Sequence, residues 1–178
     1  MRMRVYSRSL LALTFALAAL RATTLEQLTL DEMIQQSTSI VRARVGGSRT
    51  AYRGAGIYTF YQLAVLETWK SPSKSGGGPT EIAVPGGVVE GVRQIATGAP
   101  DLKPGQEYVL FLWTSRSGLT QVMGLSQGRF HVHEEMAQRP PAAELMLDRS
   151  GRPVEDQALN LRLKDLQAQV AHTLRAAK

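Results

Sequence analysis

Residues 57–69 read IYTFYQLAVLETW. Ile57, Tyr58, Thr59, Phe60, Tyr61 and Val65 are β-branched or aromatic, the residue types that fit a pleated, half-buried surface. Thirteen residues is long for one flat strand. Strong coiling, as in a small barrel, would accommodate that length. Residues 106–114, QEYVLFLWT, carry a nearly unbroken apolar run from Tyr108 to Trp113. A continuous run of this kind suggests a strand buried on both faces. These two stretches point to a mainly β fold.

Working outward, residues 40–45 alternate, with Val41, Ala43 and Val45 facing one way and Arg42 and Arg44 the other. Gly46-Gly47 then allows a bend or bulge. Residues 80–84 read as a short strand stopped by Pro85-Gly86-Gly87, and 88–96 as a further strand or ribbon. Residues 119–134 hold one or two more strands around Gly124 and Gly128. Residues 71–79 (SPSKSGGGP) and 98–105 (GAPDLKPG) are loop and turn sequences. Thr29 and Glu32 match a capping box, which starts a helix carrying Leu30, Met33 and Ile34 and running to about Ser37. Residues 136–154, with Arg139-Pro140-Pro141, read as a linker. Residues 155–178 read as a C-terminal helix, because Leu159, Leu163, Leu166, Val170 and Leu174 recur at three- and four-residue steps. The expected architecture is mainly β (α+β). A five- to six-stranded OB-like barrel over 23–135 is flanked by an N-terminal and a C-terminal helix, with a β-sandwich as the alternative. The C-terminal helix is expected to dock on the barrel rather than offer its leucine stripe to a partner.

Composition narrows the setting. The chain has 178 residues with 43% hydrophobic and 20% charged, enough to bury an ordinary core. Its formal charge is +6, but Arg2, Arg4, Arg8 and Arg21 all precede residue 23; without them 17 basic residues face 15 acidic. Residues 10–20 (LLALTFALAAL) form an apolar core too short to span a bilayer and suited to an export signal. Cleavage is placed after Ala22, making 1–22 a signal peptide; an uncleaved anchor is the alternative. The sequence has no cysteine, which excludes disulfides, thiolate metal sites, a cysteine nucleophile and a lipid-attachment site. A bacterial protein exported to the periplasm or medium is therefore expected. The mature chain has no apolar stretch long enough to cross a membrane.

Several pieces resemble a group of uncharacterised exported bacterial proteins. They are Leu28-Thr29-Leu30-Asp31-Glu32-Met33 leading to Ser39-Ile40-Val41, Ile57-Tyr58-Thr59 with Glu67-Thr68-Trp69-Lys70, and Pro85-Gly86-Gly87. Gly98-Ala99-Pro100, then Gly105-Gln106-Glu107-Tyr108-Val109-Leu110-Phe111-Leu112, and finally Gly124-Leu125-Ser126-Gln127-Gly128-Arg129-Phe130 complete the set. The resemblance covers most of residues 25–133. It implies export and an OB-fold-like barrel core, and brings no assigned catalytic residue. The implied barrel is distantly similar to netrin-like modules, including tissue inhibitors of metalloproteinases. Those inhibitors chelate metal through an N-terminal cysteine, which this chain lacks.

Three constellations carry chemistry. His131 and His133 lie two apart, so in a strand both imidazoles project from one face and could share a metal ion, with Glu134 or Glu135 as a further oxygen donor. A third firm ligand is missing, and solvated histidines are the simpler reading. Arg42, Arg44, Arg49 and Arg53 lie in a stretch with no acid between Met33 and Leu66, close to Tyr52, Tyr58, Phe60 and Tyr61. Such a surface could hold a polyanion or oligonucleotide. Export and the small mature charge argue against nucleic acid, and a solvated strand face is the simpler reading. Ser126, in Gly124-Leu125-Ser126-Gln127-Gly128, has no assured histidine–acid partner and is not expected to be a nucleophile. The glycines of Pro85-Gly86-Gly87 match neither a Walker nor a dinucleotide pattern. The expectation is a non-catalytic binding or structural protein, without cofactor, whose partner is another exported protein.

Overall fold

The computed structural model describes residues 24–72, 76–142 and 144–177, and the signal-peptide reading at 1–22 lies outside them. The described chain starts with strand β1 (Thr24–Glu26) and helix α1 (Leu30–Gln36). The capping box forms as the sequence predicts. Thr29 Oγ1 accepts from the Glu32 amide at 3.2 Å, and Glu32 Oε2 accepts from the Thr29 amide at 2.8 Å. Two long strands follow, β2 (Ser39–Arg53) and β3 (Gly56–Lys70). They pair antiparallel along their length, with register shifts at Ile40/Val41, Arg42/Ala43 and Val45/Ser48. The last shift falls on Gly46-Gly47, the bulge expected there. Bulges increase local twist, which lets fifteen-residue strands coil instead of lying flat.

β4 (Glu81–Pro85) joins the edge of β3. β5 (Gly87–Val89) and β6 (Val92–Gln94) form a separate hairpin, the ribbon alternative read for 88–96. Its turn residues Glu90 and Gly91 both have positive φ, as a two-residue hairpin loop of the primed kind requires. β7 (Glu107–Thr114) lies centrally, followed by β8 (Thr120–Val122), a 3-10 turn (Leu125–Gly128) and β9 (Arg129–His133).

Beyond β9 the structure corrects the sequence reading. Segment 136–154 is not a plain linker. It contains β10 (Met136–Arg139), β11 (Leu145–Leu147) and β12 (Pro153–Val154). The C-terminal helix does not start near 155. Leu159–Arg162 is strand β13, paired with β10, and helix α2 spans Leu163–Ala176. Leu159 and Leu161 alternate with Asn160 and Arg162, a two-residue period that was absorbed into the helical one.

The main sheet has eight strands, in the order β13-β10-β9-β7-β2-β3-β4 with β8 paired to β7, and every pairing in it is antiparallel. Among the described residues no ladder joins its two ends, so the expected five- to six-stranded OB-like barrel is replaced by an open, coiled sheet of more strands. Strand β8 comes alongside β4 without pairing to it. A three-stranded sheet, β1-β11-β12, ties the N-terminal segment to the later chain, with β1 and β11 parallel.

The sheet buries both faces. One face carries Val41, Ala43, Val45, Leu63, Ile82, Val84, Tyr108, Leu110, Leu112 and Val122, closed over by Leu102. The other face carries Ile40, Val109, Phe111, Phe130, Val132 and Ala137, and is covered by Met33 and Ile34 of α1 and Leu163, Leu166 and Val170 of α2. β7 therefore supplies alternate residues to two cores, as its unbroken apolar run suggested. Helix α2 docks on the chain's own sheet. Thr173 Oγ1 also donates to Asp31 Oδ1 at 2.8 Å, linking the two helices.

Candidate functional site

Strand β9 projects Phe130 and Val132 into the helix-side core, so His131 and His133 share the opposite face, as the two-residue spacing predicts. Their rings lie parallel within 8°, with centroids 6.4 Å apart. His131 Nε2 is hydrogen-bonded to Gln106 Oε1 at 2.8 Å, and its ring leans on Tyr108, 5.4 Å between centroids. Burial lowers the His131 pKa, helped by the neighbouring charges of His133 and Arg129. His133 is exposed, and its Nε2 lies 3.6 Å from Glu134 Oε1. Glu134 and Glu135 form the β9–β10 turn, both with positive φ. No group of three or more histidines and carboxylates with metal-ligand geometry occurs among the described residues.

The arginines of the stretch are engaged by partners from other strands and turns. Arg42 Nη1 donates to Glu67 Oε1 at 2.9 Å and Nη2 to Glu107 Oε2 at 3.0 Å; Arg44 Nη2 donates to Glu107 Oε1 at 2.5 Å. Hydrogen bonding from Arg44 and Arg42 holds the Glu107 carboxyl below its ordinary range, and the Trp69 indole N–H leads the same effect on Glu67. Past the bulge, Arg49 lies over the Phe60 ring at 4.3 Å from its centroid and pairs with Glu81 at 3.1 Å. Arg53 Nη2 donates to the Ser117 carbonyl at 3.0 Å. Three of the four arginines are thus neutralised by carboxylates from β3, β4 and β7. Those partners are distant in sequence, so the acid-free stretch did not reveal them.

Ser126 belongs to a pentapeptide that spells the whole Gly-x-Ser-x-Gly pattern, but the pattern's structural context is missing. A nucleophile elbow joins a strand to a helix with its serine exposed. Here the pentapeptide joins β8 to β9 through the 3-10 turn. Ser126 Oγ is buried with no hydrogen-bond partner, so no base stands in reach to take its proton. Gln127 is the working residue of that turn. Its Oε1 accepts from the Leu28 amide at 2.9 Å and its Nε2 donates to the Glu26 carbonyl at 3.0 Å, pinning the N-terminal segment.

No protein-family model matches the chain, and no curated protein matches it. The surface itself must therefore indicate where the molecule meets others. Exposed apolar side chains that sequence reading did not single out lie on and after the β5–β6 hairpin, near the end of β2 where Tyr52 is also exposed. Tyr52 at the tip of β2 is 50% exposed, and Val88, Val92 and Ile95 on and after the β5–β6 hairpin are 43%, 53% and 82% exposed. The hairpin is held against the long strands by Thr50 Oγ1 donating to the Val88 carbonyl at 2.6 Å and the Ile57 amide donating to Gln94 Oε1 at 2.9 Å. Arg53 and Arg93 flank the patch, and the bond from Arg53 to Ser117 brings the turn that bears Arg116 to the same end. Register pairs Val88 with Arg93 and Val89 with Val92, so Val88 and Val92 face opposite sides of the hairpin, and Ile95 just beyond it is left four-fifths in water.

Proposed function

We propose that this chain is an exported, non-catalytic binding protein of a bacterial envelope or secretome, and that it docks another exported protein through the hairpin end of its sheet. The observation that supports the docking surface is the exposure of Val88 and Ile95 on and just after a hairpin that is itself pinned in place, with Tyr52 exposed at the tip of β2. Arginines at the rim select a partner with an apolar patch edged by carboxylates. The arginine-rich first hairpin and the α2 stripe are weaker choices, because the former is largely paired and the latter is buried. Export rests on the arginine-led apolar leader and on the absence of cysteine.

A photo-crosslinking residue at position 95, introduced in the bacterium that makes the protein, tests both parts. The reading expects an exported chain beginning near Thr23 and one defined crosslinked protein. That product should disappear when Val88→Asp is added, with the circular dichroism spectrum unchanged. A chain retained with Met1 in the cytoplasm overturns the export reading. Crosslinks that are absent, or that survive Val88→Asp, overturn the docking surface.

A further inference from the structure

A second site lies on the opposite part of the sheet, where β9, β10 and β13 run side by side. Register sets Tyr108, His131, Gln138 and Asn160 in one row across four strands, since each is the Cα partner of the next. Arg129, two residues before His131, continues the row, and Arg139 lies behind it on the other face of β10 with Ala137. Together Arg129, His131, Gln138, Arg139 and Asn160 line a cavity of about 480 Å³, whose remaining walls are Pro140, Ala158 and Leu159. Among the described residues no carboxylate lines it.

The two arginines are fixed before any ligand arrives. Arg139 is 6% exposed; its Nη2 donates to Asp156 Oδ1 at 2.8 Å and to the Gln157 carbonyl at 3.0 Å. Arg129 Nη1 donates to the Asp101 carbonyl at 2.6 Å, and its guanidinium lies 5.9 Å from the centre of the Tyr108 ring. In both, Nε is buried without an acceptor. Charged donors left short of acceptors are costly, and an anion brought beside them offsets that cost. The carboxamides of Gln138 and Asn160 add neutral donors at the rim, while Leu159, Ala158 and Pro140 offer apolar contact.

We propose that this cavity binds a small organic anion, bearing a carboxylate or a phosphate, between Arg129, His131 and Asn160. The site is separate from the hairpin end and independent of the docking proposal. Arg139, neutralised by Asp156, closes the site from behind, while Arg129 and the imidazole meet the ligand. The apolar wall favours an anion with a hydrocarbon or aromatic body over a bare inorganic ion.

The test is an NMR titration of the folded mature chain at low salt with benzoate, phenyl phosphate and inorganic phosphate, and with benzylamine as the cationic control. His131 ring resonances should shift saturably with at least one organic anion and not with benzylamine, while those of His172 on α2 stay still. The groups facing His131 are Arg129 and His133 on its own strand, Tyr108 and Gln106 beside it, and Gln138 on β10. With those unchanged, an added anion should also move the His131 titration to higher pH. Asn160→Asp places a repelling charge at an exposed rim position and should weaken binding by about fivefold or more, as should Arg129→Gln. If Arg129→Gln does not fold, Asn160→Asp decides alone. No saturable His131 shift with either organic anion, or an affinity unaltered by Asn160→Asp, overturns the site. Separate saturation by benzoate and by phenyl phosphate identifies which head group the cavity prefers.

Discussion

At the scale of single residues, the fold depends on a few polar contacts between distant parts of the chain. Arg139 and Asp156 are the clearest case, with side chains 6% and 2% exposed and joined at 2.8 Å. Burial works against the Asp156 carboxylate, but the Ala142 amide and the Arg139 guanidinium overcome it and lower its pKa. Removing one partner of a buried pair strands the other, so Asp156→Ala should lower stability by about 3–5 kcal/mol in chemical denaturation. The sign of the pH effect follows from the lowered pKa. The contribution is complete above the ordinary aspartate range near pH 4 and is lost as pH falls through the lower folded value. Acid unfolding of Asp156→Ala should accordingly show a shallower loss of stability below about pH 4 than the parent chain. An equal acid slope in both would contradict this role. Neither residue was legible as a pair in the sequence. Arg139 lies within the segment read as linker and Asp156 just beyond it, and only the pairing of β10 with β13 brings their surroundings together.

At the scale of elements, local patterns were readable where one period dominated. The capping box, the bulge at Gly46-Gly47 and the doubly buried β7 each follow from residues adjacent in sequence. The boundary between β13 and α2 was not readable, because Leu159, Leu163 and Leu166 satisfy a helical step while Leu159 and Leu161 satisfy a strand step. The backbone resolves the conflict. β13 pairs with β10, and the Leu163 amide donates to the Glu135 carbonyl at 2.7 Å as the helix begins. Helix α2 is then held by its buried stripe, with Leu166 fully covered. Leu166→Ala should cost about 2–5 kcal/mol, because the sheet beneath cannot close the space left behind. Loss of less than about 1 kcal/mol would mean that the helix is not anchored through this face.

At the scale of the whole molecule, one coiled sheet separates two cores. The sequence indicated a β fold with twisted strands, but could not show whether the sheet closes. Closure depends on which strands meet at the edges, and three of the strands that extend this sheet or its neighbour lie in the segment that read as linker. The candidate surfaces show the same limit. The pairing of His131 with His133 across one face follows from spacing alone. The neutralisation of Arg42, Arg44 and Arg49 required knowing that Glu67, Glu81 and Glu107 sit on adjoining strands. The exposed hairpin end escaped notice because Val88, Val92 and Ile95 are ordinary strand residues whose exposure arises from the hairpin standing apart from the main sheet.

The proposal of an exported protein that docks a partner through this end is tested most directly by native mass spectrometry. The untagged protein would be taken from the periplasm or medium of the bacterium that makes it, beside an Ile95→Asp variant. The account predicts a chain beginning near Thr23 in a complex with a second polypeptide, and the same chain alone in the variant. A chain that still carries Met1 inside the cytoplasm, or one that is equally free of partner with and without the substitution, would contradict it.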